Sequence, residues 1–139
     1  EVSECPVLCQ RKNMPDPMIA ARKGSTALRS MCWAMRAIAE VPEQRENWYE
    51  AEKAAYRAEN WEGVVYYGRK ALRITTKSRS AINEAEAWGA APWDLLSIGL
   101  WHTGDIRGAA EAASTALSLC RSERIEANLR LFQERLGEA

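Results

Sequence analysis

The chain has 139 residues, enough for one domain, and its 47% apolar and 27% charged residues make a globular composition, neither disordered nor membrane-like. Nineteen basic residues balance nineteen acidic ones, so the net charge gives no reason to expect nucleic acid or an anionic membrane as the partner. No apolar run approaches the roughly 20 residues of a membrane span, and no signal peptide is visible. We therefore expect a cytoplasmic protein; because the sequence begins at Glu1 rather than Met, we also expect it to be processed or part of something longer.

The cysteines give no clear metal motif. Cys5 and Cys9 could form a local disulfide or one half of a zinc site, but Cys32 and Cys120 stand alone and His102 is the only histidine. A zinc site needs four ligands at paired spacings. We therefore expect reduced thiols, no metal and no cofactor.

Helix start and stop signals in the first third of the chain predict two helices. Residues 1–12 lack periodicity and are expected to form an irregular arm. Asp16 can cap free backbone amides and Pro17 suits a first helical turn, so a helix is expected to begin there. The predicted elements are a short helix over 18–23, a stop at Gly24 and Ser25, and a longer helix over 26–40 that ends before Pro42.

The rest of the chain shows helical periodicity with clear caps. Asn60, Asp105 and Ser122 each precede an apolar stripe and are predicted N-caps. The sequence has no β-branched runs with period-two alternation, so the predicted fold is all-α. The predicted segments are helices over 43–59, 61–74, 93–102, 106–120 and 122–137, with a polar, extended connection over 75–86.

The predicted helices contain an internal repeat. The pairs Ala37-Ile38 and Ala71-Leu72 lie near helix ends and are 34 residues apart, while Ala116-Leu117 follows 45 residues after the second pair. Trp48 and Trp93, early in their helices, are also 45 apart. This spacing indicates one repeating unit with an insertion in the polar connection.

These residues resemble the tetratricopeptide repeat, a helix–turn–helix unit of 34 residues. The resemblance implies one domain over 13–139, in which antiparallel helix pairs form a short right-handed superhelix. Two pairs of positions depart from the family pattern: Glu52 and Ser97 replace a glycine, and Gly68 and Ala113 replace a bulky aromatic. The implied units are repeats at about 11–43, 44–77 and 90–121, an insertion at about 78–89 and a capping helix over 122–137.

A narrower resemblance covers about residues 43–135. The segment 81–101 is similar to one in the tetratricopeptide regions that follow the catalytic domain of bacterial and phage family 2 glycosyltransferases. The resemblance implies an accessory region, since the chain contains no nucleotide-sugar fold and no Asp-x-Asp-type motif belonging to one. The matching residues are Asn83, Glu84, Trp88, Gly89, Pro92, Asp94, Leu95, Ser97 and Ile98.

A concave face of stacked helix pairs is the first candidate site. It would be lined by the first helix of each pair, and aromatic side chains with one polar end are good binding anchors. The alternative is that these rings complete the core between pairs. The candidates are Tyr49, Lys53 and Tyr56 in one pair and Asp94, Ile98 and Trp101 in the next.

The insertion is the second candidate. Trp88 could stack on a sugar or anchor a partner; the favoured interpretation is that it ties the connection onto the repeats, with Asn83 and Glu84 bonding to backbone. His102 has no nearby residue that would make a nucleophile–base couple, so no catalytic residue is assigned.

Two functions remain open. The leading hypothesis is a non-catalytic module that binds a protein or peptide, without nucleic-acid or membrane partners. The alternative is a self-assembling structural protein, in which Met31, Trp33 and Met35 offer an apolar face to a second copy, giving rings or filaments. The cations Arg69, Lys70 and Arg73 are expected to form a solvated face balanced by neighbouring acids.

Overall fold

The computed structural model describes the backbone of residues 17–77 and 85–137, and the side chains of residues 28–77 and 85–137. Within these ranges the chain is all-α, as predicted, and contains no strand. A short 3₁₀ helix, η1, spans Ala85–Trp88. The α-helices of these ranges are α1 (Pro17–Glu40), α2 (Arg45–Arg57), α3 (Trp61–Arg73), α4 (Ala91–Thr103), α5 (Ile106–Leu119) and α6 (Glu123–Gly137).

Each α-helix packs against the next one in the chain, from α1 on α2 to α5 on α6. The helix α2 also contacts α4, and η1 lies against both of them. The connections 58–60 and 104–105 are short, so α2 with α3 and α4 with α5 form helical hairpins. No helix in the described ranges is both long and apolar enough to cross a membrane.

The two hairpins turn in the same way. The side chain of Asn60 accepts a hydrogen bond from the Gly63 amide at 3.1 Å, and Asp105 accepts one from the Gly108 amide at 3.0 Å. Each cap therefore satisfies a backbone donor that the first helical turn leaves free. A Cβ atom on Gly108 would lie 2.5 Å from an Asp105 oxygen, which explains the glycine at this position. The predicted caps at Asn60 and Asp105 are confirmed.

The predicted helix stop at Gly24 and Ser25 is wrong, because α1 continues through both residues. Glycine costs only about 1 kcal/mol in a helix interior, and no proline interrupts the backbone hydrogen bonds here. The connection predicted as extended over 75–86 is also corrected at its end, where η1 includes Glu86. The arm over 1–12 and the cap at Asp16 lie outside the described residues.

The core is built around α4, in which every residue from Asp94 to Trp101 is buried. One cluster joins α4 to α5 and α6 through Trp101 and Phe132, whose rings are 5.1 Å apart. A second cluster lies between α2, α3, η1 and α4 and includes Tyr49. The helices α3 and α4 approach closely at Gly99, where a Cβ atom would lie 2.8 Å from Val64 Cγ1.

Candidate functional site

The residues predicted to line a concave groove do not share one exposed surface. Tyr49, Ile98 and Trp101 are buried. Tyr49 belongs to the cluster between α2 and α4, and Trp101 packs on Phe132 of α6. In the described structure these three side chains complete the core between helices. This favours the alternative interpretation, in which the predicted groove residues are core residues.

Asp94 forms a structural ion pair, so its carboxylate is not open to a partner. Its two oxygens accept hydrogen bonds from the Arg124 guanidinium at 3.1 and 2.5 Å, and its side chain is almost fully buried. A bidentate pair of this kind fixes both distance and orientation. The start of α4 is thereby joined to α6.

Lys53 and Tyr56 remain partly accessible. The Lys53 ammonium lies 2.6 Å from Glu50 and 4.6 Å from the centre of the Tyr49 ring. Tyr56 contacts the edge of Trp61, with ring centres 5.8 Å apart. Of the six predicted groove residues, these two retain surface that a partner could contact.

His102 lies in a stack of rings. Trp61 and His102 are nearly parallel, 7° apart, with centres 3.9 Å from each other. Burial lowers the pKa of His102, an effect that the charge of Glu59 opposes. The neutral imidazole suits this flat contact, which joins α3 to α4.

The part of the insertion that the structure describes, η1, is held against α2 by Trp88 and Arg45. The indole N–H of Trp88 donates to Glu46 Oε1 at 2.6 Å, and the Arg45 guanidinium lies 4.1 Å from the centre of the Trp88 ring. Arg45 also donates to the carbonyls of Ile74, at 2.9 Å from Nε, and Ala87, at 3.4 Å. These contacts favour the interpretation that Trp88 ties the connection down. Asn83 and Glu84 lie outside the described residues.

Tyr49 adds a third link between α2 and η1. Its pKa is raised well above the usual range, first by burial and then by a hydrogen bond to Glu86. The hydroxyl therefore stays protonated and donates to the Glu86 carboxylate. Because Tyr49 is committed to this contact, it is not free to bind a partner.

Replacing Arg45 with Lys tests how much the insertion depends on this residue. An ammonium group cannot donate to two separate carbonyls while also stacking flat on Trp88. We expect Arg45→Lys to lower the free energy of unfolding by about 1–3 kcal/mol in urea titrations. Arg57→Lys, at an exposed position of the same helix, is the control and should change it by less than about 0.5 kcal/mol. Equal effects of the two substitutions would contradict this role.

Glu52 is a fully buried polar residue of the core. It has no exposed surface, and neither carboxyl oxygen has a hydrogen-bond partner among the described residues. A Cβ atom on Gly68 would lie 3.1 Å from this carboxyl group. The side chain of Glu52 therefore fills the space that the absence of a side chain at Gly68 leaves.

Burial raises the pKa of Glu52 well above its usual value of 4.5, and the negative charge of Asp94 adds to the effect. Without a cationic partner, the neutral acid is the form that the core favours. Folding then binds a proton that the unfolded chain releases above about pH 4.5.

Glu52→Gln tests this coupling. In the wild type the free energy of unfolding should fall as pH rises from about 4.5 through the pKa of the folded state, by at most about 1.4 kcal/mol per pH unit. The variant lacks this proton, so its stability relative to wild type should increase with pH over the same interval. Urea titrations at several pH values measure the difference. Glu111→Gln, at an exposed position of α5, is the control. If the difference in stability from wild type is independent of pH for both variants, the coupling is disproved.

A cluster of rings and cations lies on the surface formed by α2 and α3. Tyr66 is 54% exposed, and its ring centre is 6.5 Å from Trp48 and 5.3 Å from Tyr67. The Lys70 ammonium lies 5.9 Å from the Trp48 ring centre and 5.6 Å from that of Tyr66. We call this the aromatic–basic surface; its residues are Trp48, Tyr66, Tyr67, Arg69, Lys70 and Arg73.

The sequence prediction missed this surface as a site. Tyr66, Arg69, Lys70 and Arg73 are spaced so that they follow one side of a helix. That spacing is visible in the sequence, but Arg69, Lys70 and Arg73 were expected to be balanced by acids. Among the described side chains, no carboxylate lies within 4.0 Å of these three cations.

A second exposed surface lies on α1. Leu28 is 67% and Trp33 69% exposed, and with Arg29, Cys32 and Arg36 they line a shallow hollow. Met31, predicted to share this face, instead packs against the cluster that contains Tyr49. Only part of the predicted apolar face is therefore available to a second copy.

No group of three or more His, Cys, Asp or Glu side chains within the described residues is arranged to hold a metal. Cys5 and Cys9 lie outside those residues. No known family model matches the chain, and no curated protein matches it.

Proposed function

We propose that this chain is a non-catalytic helical-repeat module that binds a protein or peptide partner. The observation that carries the proposal is the aromatic–basic surface, where Tyr66 is more than half exposed beside three cations without carboxylate partners among the described residues. Tyrosine, tryptophan and arginine are the side chains that contribute most to protein interfaces.

A tetratricopeptide-like arrangement is part of the proposal. It is supported by the two hairpins with equivalent caps at Asn60 and Asp105, and by the contact of α2 with α4. In such an array each pair buries its apolar face on its neighbour, and the end needs a polar cap. We assign that capping role to α6 and propose a right-handed superhelix.

We propose that the chain is non-catalytic because the candidate acid and base side chains that the structure describes are enclosed or engaged in other contacts. His102 is stacked on Trp61, Asp94 is paired with Arg124, and Glu52 is enclosed in the core. A general acid or base must reach its substrate. The resemblance of segment 81–101 extends the proposal to an accessory role beside a nucleotide-sugar glycosyltransferase.

Tyr66→Ser tests the binding function. A random peptide library displayed on phage is selected against the immobilised wild-type chain, and the affinity of enriched peptides is measured for each variant. We expect peptides that lose about tenfold or more with Tyr66→Ser, because a buried aromatic anchor contributes about 1–2 kcal/mol or more. Leu119→Ser removes a similarly exposed apolar side chain from α5 and should leave binding unchanged. Failure to enrich any peptide, or equal losses in both variants, would overturn the proposal.

The α1 surface supports self-assembly as a second candidate, because Leu28 and Trp33 are two large, exposed apolar side chains that line the same hollow. If α1 contacts a second copy, sedimentation velocity should detect oligomers whose size increases with concentration. A charge introduced by Trp33→Glu should reduce them to monomers, whereas Arg57→Glu should not. A wild-type chain that stays monomeric at all concentrations would exclude this candidate. Met31 is unsuitable for the test, since it packs on the core.

A further inference from the structure

The charges of this neutral chain are unevenly distributed. Residues 63–83 contain no Asp or Glu but five cations, three of them on α3. The remaining two follow in the connection. This segment holds more than a quarter of the basic residues of a protein whose total charge is zero, so the net charge conceals a local excess of basic residues in the sequence. The five are Arg69, Lys70, Arg73, Lys77 and Arg79.

The structure leaves the α3 cations available. Arg69 and Arg73 are exposed, and no ion pair or hydrogen bond involves either side chain within the described ranges. Lys53 differs, because its ammonium is 2.6 Å from Glu50. Within the described ranges, therefore, no carboxylate pairs with the exposed cations of α3.

The rings next to these cations are held in place. The Trp48 indole N–H donates to the Pro42 carbonyl at 2.7 Å, and the rings of Tyr66 and Tyr67 contact Trp48 edge-on or tilted. Lys70 is held over Trp48 and Tyr66. A surface that is already ordered loses less conformational entropy when it binds a partner.

We infer that the aromatic–basic surface binds an acidic peptide segment, with Arg69, Lys70 and Arg73 receiving its carboxylates and Tyr66 contacting one of its apolar side chains. This inference rests on the proposed function and names the partner class. Tyr66 to Arg73 covers about 10 Å of helix, which matches about three residues of an extended peptide. Three cations over that length suit two or three carboxylates.

An acidic peptide fits this surface better than a single-stranded nucleic acid does. Non-specific binding of single strands requires open aromatic faces on which bases stack, together with a charged groove that follows the backbone. Here Lys70 lies over two of the rings, and the rings contact one another. The cations also cover one helix side rather than a long track.

The test uses fluorescence anisotropy with three labelled decapeptides, each containing one Trp. The first is rich in Glu, the second replaces Glu with Ser, and the third replaces Glu with Lys. A ten-residue oligothymidylate is the fourth probe. We expect only the Glu-rich peptide to bind measurably at low salt, and its affinity to fall with added salt, because the screening length shortens from about 10 Å at 0.1 M to about 3 Å at 1 M.

Matched charge reversals locate the site. Arg69→Glu with Arg73→Glu should weaken binding of the Glu-rich peptide by about tenfold or more. Arg107→Glu with Arg121→Glu makes the same charge change at exposed positions on and after α5, and should weaken it less than about twofold. Circular dichroism melts check that both variants fold. Equal losses in the two variants, or no binding of the Glu-rich peptide, would overturn the inference.

The remaining outcomes separate this inference from the proposed function. Library peptides that depend on Tyr66 but are neutral would leave the proposed function standing and disprove the acidic partner. Tighter binding of the oligothymidylate, lost in the α3 variant, would assign the surface to nucleic acid instead. Absence of any Tyr66-dependent peptide would overturn both proposals.

Discussion

The burial of α4 on all sides is the constraint on which the rest of the structure depends. Every residue from Asp94 to Trp101 is buried, so the side chains of α4 determine where α3, α5 and α6 can pack. Gly99 permits the close approach of Val64, and Asp94 positions Arg124 of α6. Because interiors are close-packed, small residues at these crossings determine the spacing of the helices.

That same packing decides which polar groups are unavailable for function. Glu52 and Asp94 lie near enough for the charge of Asp94 to raise the pKa of Glu52, yet only Asp94 has a cationic partner. A buried pair with one cation is most stable when one acid is charged and the other neutral. Asp94 therefore contributes an ion pair to the fold and Glu52 a buried neutral acid, and neither carboxyl group is open to a partner.

Local interactions explain how much of this could be predicted from the sequence. The caps at Asn60 and Asp105 act within three residues, so their side-chain identity was sufficient. Helical spacing also placed Tyr49, Lys53 and Tyr56 on related positions of α2. It could not tell whether that side faces solvent, because Tyr49 is covered by η1 and α4, elements distant in sequence. Trp101 is buried for the same reason, since α4 is enclosed from Asp94 to Trp101.

For the candidate surface on α3 the opposite holds: the sequence locates its residues, whereas only the structure shows their surroundings. Its spacing is local and visible in the sequence. Among the described residues, no carboxylate of a neighbouring helix pairs with these cations, and only the tertiary structure shows this. A solvated face would place acids between the cations, since like charges one turn apart repel. The residues Arg69, Lys70 and Arg73 instead keep that repulsion, beside rings held by Trp48. In the proposed complex with an acidic peptide, the carboxylates of the partner would relieve this repulsion and so contribute to affinity.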